Sequence, residues 1–117
     1  MSNIAKLTIV VAACLPHGLQ ATQAMHAARQ FADEHPVVEQ QWHEESNTLV
    51  LLSVADGAAL QQLFEAAKCA EIKHSVFYEP DIFAMAPGYE WPWTAMALEP
   101  SRDTRRLCRW LQAAMKG

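Results

Sequence analysis

A chain of 117 residues is long enough for one domain, and a domain of this size buries about two-thirds of its unfolded surface. We therefore predict a single domain over residues 1–117 that folds without disulfides or a structural metal. The net charge of −4 argues against a protein that grips nucleic acid with its whole surface. No apolar run reaches the length of about 18 residues that a membrane span needs.

The charge is unevenly distributed along the chain. Residues 1–100 contain four basic and twelve acidic side chains, whereas residues 101–117 contain five basic side chains and one acidic one. Any contact with nucleic acid is therefore expected near the C-terminal end. The three cysteines form no C-x-x-C pair, and the first residues lack a signal-peptide pattern, so we expect a reduced, cytoplasmic protein.

The first predicted elements are an apolar, centrally placed strand over residues 7–13 and a helix over residues 19–34, joined by a loop with proline and glycine. The helix is expected to bury a stripe at helical spacing, formed by Ala21, Ala24, Met25, Ala28, Phe31 and Ala32. Gln23 and His26 then lie on the opposite side. Residues 36–46 are ambiguous and fit an irregular segment or an edge strand.

The remaining pattern predicts strands over residues 48–54, 74–79 and 94–98 and helices over residues 57–70 and 102–115. The last helix is expected to bury Leu107, Trp110, Leu111 and Ala114. This order of elements predicts a three-layer α/β/α domain with a four-stranded mixed sheet. The last two strands are joined without a helix, which is compatible with an antiparallel pair.

Candidate functional residues surround the passage from the first strand to the first helix. His17 lies in the loop that leaves the strand, where α/β proteins bind ligands, and its imidazole can exchange a proton near pH 7. Gln23 and His26 are three positions apart and can present an amide and an imidazole to the same volume. Ordinary roles, as an exposed loop histidine and a histidine at the edge of the core, also fit.

Two carboxylates, Glu79 and Asp81, follow the third strand. In an extended chain they would point to the same face, where one could act as a base, although solvated loop acids fit equally well. Thr94 begins the fourth strand, and its hydroxyl can hold a water or a phosphate or can simply reflect β-propensity. These ligand types occur without a metal-binding motif, so we predict neither a metal nor another cofactor.

Four arginines share one face of the last predicted helix and are candidates for phosphate contacts, although a solvated helix face fits as well: Arg102, Arg105, Arg106 and Arg109. The loop over residues 83–93 contains Trp91 and Trp93, which could stack on a base, fill an apolar rim or form a dimer contact. A homodimer is therefore an open expectation.

Several segments, taken in order, resemble type II peptidyl-tRNA hydrolases. They are residues 7–11, Gly18, Gln23-Ala24-Met25-His26-Ala27, Phe77-Tyr78-Glu79-Pro80-Asp81, Ala86-Pro87-Gly88 and residues 94–100. The similarity spans nearly the whole chain. It implies an α/β domain with a four-stranded mixed sheet that cleaves the ester between a peptide and the 3′ end of tRNA, without a cofactor.

The resemblance also implies site residues. The family's acid after the third strand corresponds to Glu79 or Asp81, its threonine to Thr94, and its helix motif to Gln23 and His26. The family's loop lysine has no counterpart here, and His17 is the nearest cationic candidate. An apolar run over residues 82–84 also replaces a polar run of the family.

Our leading hypothesis is a hydrolase of peptidyl-tRNA or a related aminoacyl ester, in which water attacks the ester carbonyl. The expected catalytic residues are His17, Glu79, Asp81 and Thr94. The expected substrate-binding residues are Gly18, Gln23, His26, Arg102, Arg105, Arg106 and Arg109. The alternative is a non-catalytic module that binds a protein or a nucleotide through loop 83–93, and a small-molecule hydrolase is a third option.

Overall fold

The structure is a computed structural model that describes residues 4–116. In chain order, the elements are β1 (Lys6–Ala12), α1 (His17–Glu34), α2 (Pro36–Glu45), β2 (Thr48–Val54), α3 (Gly57–Cys69), β3 (His74–Tyr78), α4 (Ile82–Met85), β4 (Trp93–Leu98), α5 (Arg102–Cys108) and β5 (Gln112–Ala113). No helix among the described residues combines the length and the apolarity required to cross a bilayer.

The five strands form one mixed sheet in the order β3-β4-β1-β2-β5. β1 pairs in parallel with β2, whereas β4 runs antiparallel to both β1 and β3. β1, β2 and β3 therefore point in the same direction. Their carboxyl ends lie at one edge of the sheet, together with the amino end of β4, and this edge carries the candidate site.

The sheet lies between two helical layers, as the three-layer α/β/α prediction requires. Both faces of the central strand β1 are covered, because its side chains alternate between two separate apolar cores, one on each side of the sheet. One core, beneath α1 and α2, includes Leu7, Ile9, Val11, Phe31 and Trp42. The other, beneath α3, includes Val10, Leu60, Leu63, Met96 and Leu98. The α/β fold is confirmed.

The prediction of four strands and a long last helix is wrong in detail. α5 ends at Cys108, seven residues before the predicted end, and the chain then forms β5, which pairs antiparallel with Leu52 and Ser53 of β2. Trp110, which we expected to be buried, is 82% exposed. Backbone pairing with an otherwise unpaired strand edge overrides the local helical pattern here.

The ambiguous segment over residues 36–46 forms a helix, α2, rather than an irregular segment or an edge strand. Pro36 occupies the first turn of α2, where its fixed φ suits a helix and its missing N–H is not needed. Trp42 packs beneath the sheet and donates its indole N–H to the Thr48 carbonyl oxygen at 2.7 Å. The sequence shows no apolar stripe at helical spacing here, because Trp42 is the one buried residue of α2.

The expected buried face of α1 is also displaced. Gln23 is 1% exposed although we placed it on the polar side, and Met25 is 61% exposed although we placed it in the buried stripe. The observed buried face is formed by Gln20, Gln23, Ala24, Ala27 and Phe31. Two buried glutamines at helical spacing therefore mark the end of α1 nearest the candidate site.

Candidate active site

The candidate site is built around a buried glutamine that joins two strands to α1. The Gln23 side-chain amide donates to Glu79 Oε1 at 3.1 Å, and Gln23 Oε1 accepts a hydrogen bond from the Thr94 hydroxyl. Gln23 and Thr94 are 1% and 0% exposed, whereas Glu79 is half-buried. Thr94 therefore orients the Gln23 side chain through its oxygen, and the Gln23 nitrogen holds the Glu79 carboxylate at the surface of the protein.

Thr94 reaches this network because β4 contains a bulge. Phe77 pairs with Ala95, but the next residue, Tyr78, pairs with Trp93, so Thr94 is the extra residue on β4. A bulge turns a side chain that strict alternation would direct to the other face of the sheet. Thr94 consequently points to the α1 side, as Ala95 does, and its hydroxyl meets Gln23.

The Glu79 carboxylate is held at both oxygens. Gln23 donates to Oε1, and the backbone N–H of Asp81 donates to Oε2 at 3.3 Å. Asp81 itself has φ −100° and ψ 8°, which is not extended, so the alternation on which we based converging carboxylates ends before it. Glu79 is thus the acid that the hydrogen-bond network orients, and the Asp81 side chain is exposed.

His26 lies one helical turn beyond Gln23, on the same side of the sheet as Glu79. Its imidazole stacks on the Phe77 ring, with centroids 4.4 Å apart and planes inclined by 10°. Phe77 precedes Glu79 by two residues in the chain. The stacking holds the exposed imidazole beside the network without placing it in hydrogen-bond contact with Glu79 or Gln23 among the described residues.

His17 and Gly18 are the first residues of α1 rather than part of a loop, because the helix begins two residues earlier than predicted. Both are exposed. Gln23 lies six positions after His17, which corresponds to about 9 Å along the helix axis. The structure therefore places His17 near the network but not in it. The first-turn N–H groups of α1 have no intrahelical partner and are available to an anion.

Gln20 is a residue of this region that sequence reasoning missed. It is 1% exposed, and its amide donates to the Leu15 carbonyl at 2.6 Å and to the Ala13 carbonyl at 3.3 Å. These bonds shape the connection between β1 and α1. The signal was present in the spacing, because Gln20 and Gln23 lie at positions i and i+3 on a stripe that continues through Ala24, Ala27 and Phe31.

Cys14 lies in the same connection, but its chemistry does not suit a nucleophile. Burial, followed by the charge of Asp56, raises the pKa of the Cys14 thiol above its ordinary value. A raised thiol pKa leaves Cys14 protonated at neutral pH, and only the thiolate is a strong nucleophile. Within residues 4–116, no three His, Cys, Asp or Glu side chains gather as metal ligands would.

The aromatic loop is largely part of the core. Tyr89 and Trp91 are 7% and 9% exposed, and Trp93 is half-buried. Trp91 contacts Trp93 and Phe64 with ring centroids 5.0 and 5.8 Å apart. Of the three roles left open for these tryptophans, the burial of Trp91 therefore favours filling an apolar rim. Phe83 and Met85 remain exposed in this loop.

The four arginines are all exposed, at and just beyond α5. Among the described residues, none of their guanidinium groups is paired with a carboxylate. α5 begins four positions after β4 and leads to β5 at the opposite end of the strand order from β3, and no ion pair joins these arginines to Glu79 among residues 4–116. The basic segment and the Gln23 network are thus separate features of the molecule.

Comparisons with known proteins agree with this architecture. A solved structure of a protein of unknown function from Agrobacterium tumefaciens strain C58 is similar with a TM-score of 0.66 and 10% sequence identity, over 92% of this chain and 96% of that one. At this identity the similarity establishes the fold alone. No curated protein sequence matches the chain significantly.

The family comparison is more specific. Residues 5–106 match the model of the family described as peptidyl-tRNA hydrolase PTH2. The match covers β1 to β4 and most of α5, and so includes Gln23, Glu79 and Thr94. The chain therefore belongs to the peptidyl-tRNA hydrolase PTH2 family.

Proposed function

We propose that this protein hydrolyses the ester that links a peptide, or a related blocked amino acid, to the 3′ end of tRNA. The observation that carries the proposal is the Gln23–Glu79–Thr94 network, found in a chain of this family. It supplies an oriented carboxylate at the protein surface, as general-base catalysis of ester hydrolysis requires. Because the proposed substrate is a product of translation, we also propose that the protein acts in the cytoplasm.

In this mechanism Glu79 takes a proton from the water that attacks the ester carbonyl. Gln23 is a positioning residue, because it is buried and both of its polar atoms are engaged by Glu79 and Thr94. Negative charge that develops on the carbonyl oxygen requires donors fixed in advance. The first-turn N–H groups of α1 are candidates for this role, and His17 adds a donor beside them.

Two further residues have supporting roles in the proposal. His26 is exposed and stacked on Phe77, which precedes Glu79 by two residues, and is proposed to contact the ribose or the peptide. Asp81 contributes its backbone N–H to Glu79 rather than acting as the base. The arginines of and after α5 are proposed to contact phosphates of the tRNA, away from the reacting ester.

The experiment is the release of tRNA from N-acetylated aminoacyl-tRNA by the purified protein. Glu79→Gln keeps the shape and removes the basic oxygen, so we expect the rate to fall about 10²-fold or more. Asp81→Asn is the matched control, because it removes a carboxylate two residues away and keeps the backbone N–H bond; it should retain most of the rate. Full activity of Glu79→Gln would exclude this mechanism.

The non-catalytic alternative retains little support from the geometry, because loop 83–93 buries Tyr89 and Trp91. Phe83 and Met85 are its exposed apolar side chains. If the parent protein releases no tRNA under conditions in which other members of the family do, Phe83→Ala and Met85→Ala become the variants to test for loss of partner binding.

A further inference from the structure

Trp110 is the most exposed large apolar side chain of the described residues, at 82%. It follows α5 and lines an open cleft of about 450 Å³ at the carboxyl ends of β1 and β2. The other walls include Ala13 after β1, Ser53, Val54 and Ala55 at the end of β2, and Gln112 of β5. In α/β proteins, ligands bind outside the carboxyl ends of the strands, which is where this cleft lies.

Charge and ring geometry identify the kind of ligand. The Arg109 guanidinium lies over the Trp110 ring, 5.0 Å from its centroid, and the indole is still 82% exposed. Arg105 and Arg106 are exposed just before it. An aromatic ring beside several arginines is typical of surfaces that stack an unpaired base while cations hold the phosphates.

The cleft and the proposed catalytic residue lie at the same edge of the sheet. In the strand order β3-β4-β1-β2-β5, Glu79 follows β3, and the cleft lies at β1, β2 and β5. Three strand spacings, about 14 Å, separate β3 from β2 within the sheet. The cleft opens on the α3 side, where Ala59 lines it, and Glu79 faces α1, so the RNA must also pass over the edge of the sheet. A few unpaired nucleotides can span this distance while the terminal ester reaches Glu79.

We propose that Trp110 stacks on an unpaired base near the 3′ end of the RNA substrate, in the cleft at the carboxyl ends of β1 and β2, with the phosphates of the RNA held by Arg105, Arg106 and Arg109. This inference rests on the proposed function, because it uses the tRNA substrate to choose the ligand. It adds a recognition subsite that is separate from the Gln23 network. Recognition of duplex phosphates needs only cationic side chains, so it would not explain the exposed indole of Trp110.

The test compares two RNA hairpins that share one acceptor stem, one with an unpaired 3′ tail and one blunt. The parent should bind the tailed RNA more tightly, and Trp110→Ala should weaken that binding about tenfold, within the range measured for base–aromatic stacking. Trp110→Phe should keep most of the preference. Val37→Ala is the control, because Val37 is 69% exposed on α2, on the opposite face of the sheet.

Salt dependence separates stacking from charge. Trp110→Ala should weaken binding of the tailed RNA at every salt concentration without changing the slope of log Kd against log salt, whereas Arg106→Gln should make that slope shallower. In turnover, Trp110→Ala should raise KM and leave kcat within about twofold of the parent. An unchanged tail preference in Trp110→Ala, or equal binding of both hairpins by the parent, would overturn the inference.

The two proposals fail in distinguishable ways. A parent that prefers the tailed RNA through Trp110 but releases no tRNA would retain the stacking subsite and reject the hydrolase. A parent that hydrolyses its substrate, with the same KM in Trp110→Ala, would retain the hydrolase and reject the subsite.

Discussion

Thr94 and Gln23 lie 71 residues apart in the chain and are joined by a buried hydrogen bond from the threonine hydroxyl to the glutamine side-chain oxygen. This bond fixes which way the Gln23 amide points. Since its oxygen accepts from Thr94, its nitrogen is directed to Glu79. A single bulge residue on β4 thereby determines the orientation of the carboxylate that we propose as the base.

Replacing Thr94 tests that relationship. Thr94→Val keeps the shape but leaves the buried Gln23 oxygen without a donor, so we expect a loss of about 1–3 kcal/mol in the free energy of unfolding and a lower kcat. Thr94→Ser keeps the hydroxyl and should retain most of kcat. Urea denaturation and tRNA release measure the two effects. Equal kcat values for the valine and serine variants would show that the hydroxyl does not orient the site.

Gln23→Glu should change the pH dependence of the reaction. It places a second carboxyl about 3 Å from Glu79, and two carboxylates at that distance raise one pKa of the pair. Burial places the raised pKa on the introduced carboxyl, so the pH–rate profile should gain an additional ionisation at higher pH that the parent lacks. Gln30→Glu, the same change next to Glu34 on the same helix, is the control and should leave the profile in place.

Gly57 is expected to be intolerant of a side chain. A Cβ there would lie 3.0 Å from Tyr89 Cζ and 3.3 Å from the backbone nitrogen of Trp91. The absence of a side chain at Gly57 thus lets the aromatic loop pack closely against α3. Gly57→Ala should destabilise the protein by about 1–3 kcal/mol in thermal or urea unfolding. Gly18→Ala, whose Cβ meets no atom within 4 Å, should be neutral or slightly stabilising. Equal stability of the two variants would contradict the close packing at Gly57.

The protein should lose stability in alkaline solution. Burial raises the pKa of the Cys108 thiol from its ordinary value of 9.0 to about 11. Between these values the unfolded chain releases the proton and the folded chain keeps it, so the stabilisation present below pH 9 is lost as the pH rises through 11. The loss is on the order of 2 kcal/mol.

Cys108→Ala provides the comparison for this effect. The variant should be less stable at pH 7, by about 1 kcal/mol for the small cavity, but should lose less stability between pH 9 and pH 11. Burial also raises the pKa of Tyr89, so part of the alkaline loss remains in the variant. Parallel stability curves for parent and variant over this pH range would reject the role of Cys108.

The aromatic loop shows why composition could not decide among the roles open to Trp91 and Trp93. A Pro- and Gly-containing stretch precedes them, which fits a surface contact as well as an apolar rim, and in the structure Trp91 packs against Phe64 and beside Gly57. A loop can be buried when its side chains fill the space between a helix and a sheet. The local sequence of the loop does not predict this burial, because Trp91 packs against α3, which lies more than twenty residues earlier in the chain.

Local patterns along the chain are sufficient to predict the α/β architecture, because apolar runs and helical spacing depend on neighbouring residues. Short motifs in a fixed order also indicate the family and identify Gln23, Glu79 and Thr94 as candidates. The burial of Gln23, the β4 bulge that turns Thr94 towards it, and the replacement of a helix end by β5, which leaves Trp110 exposed, become visible only in the folded chain. These outcomes depend on pairing and packing between distant segments, which compete with local propensity and here prevail over it.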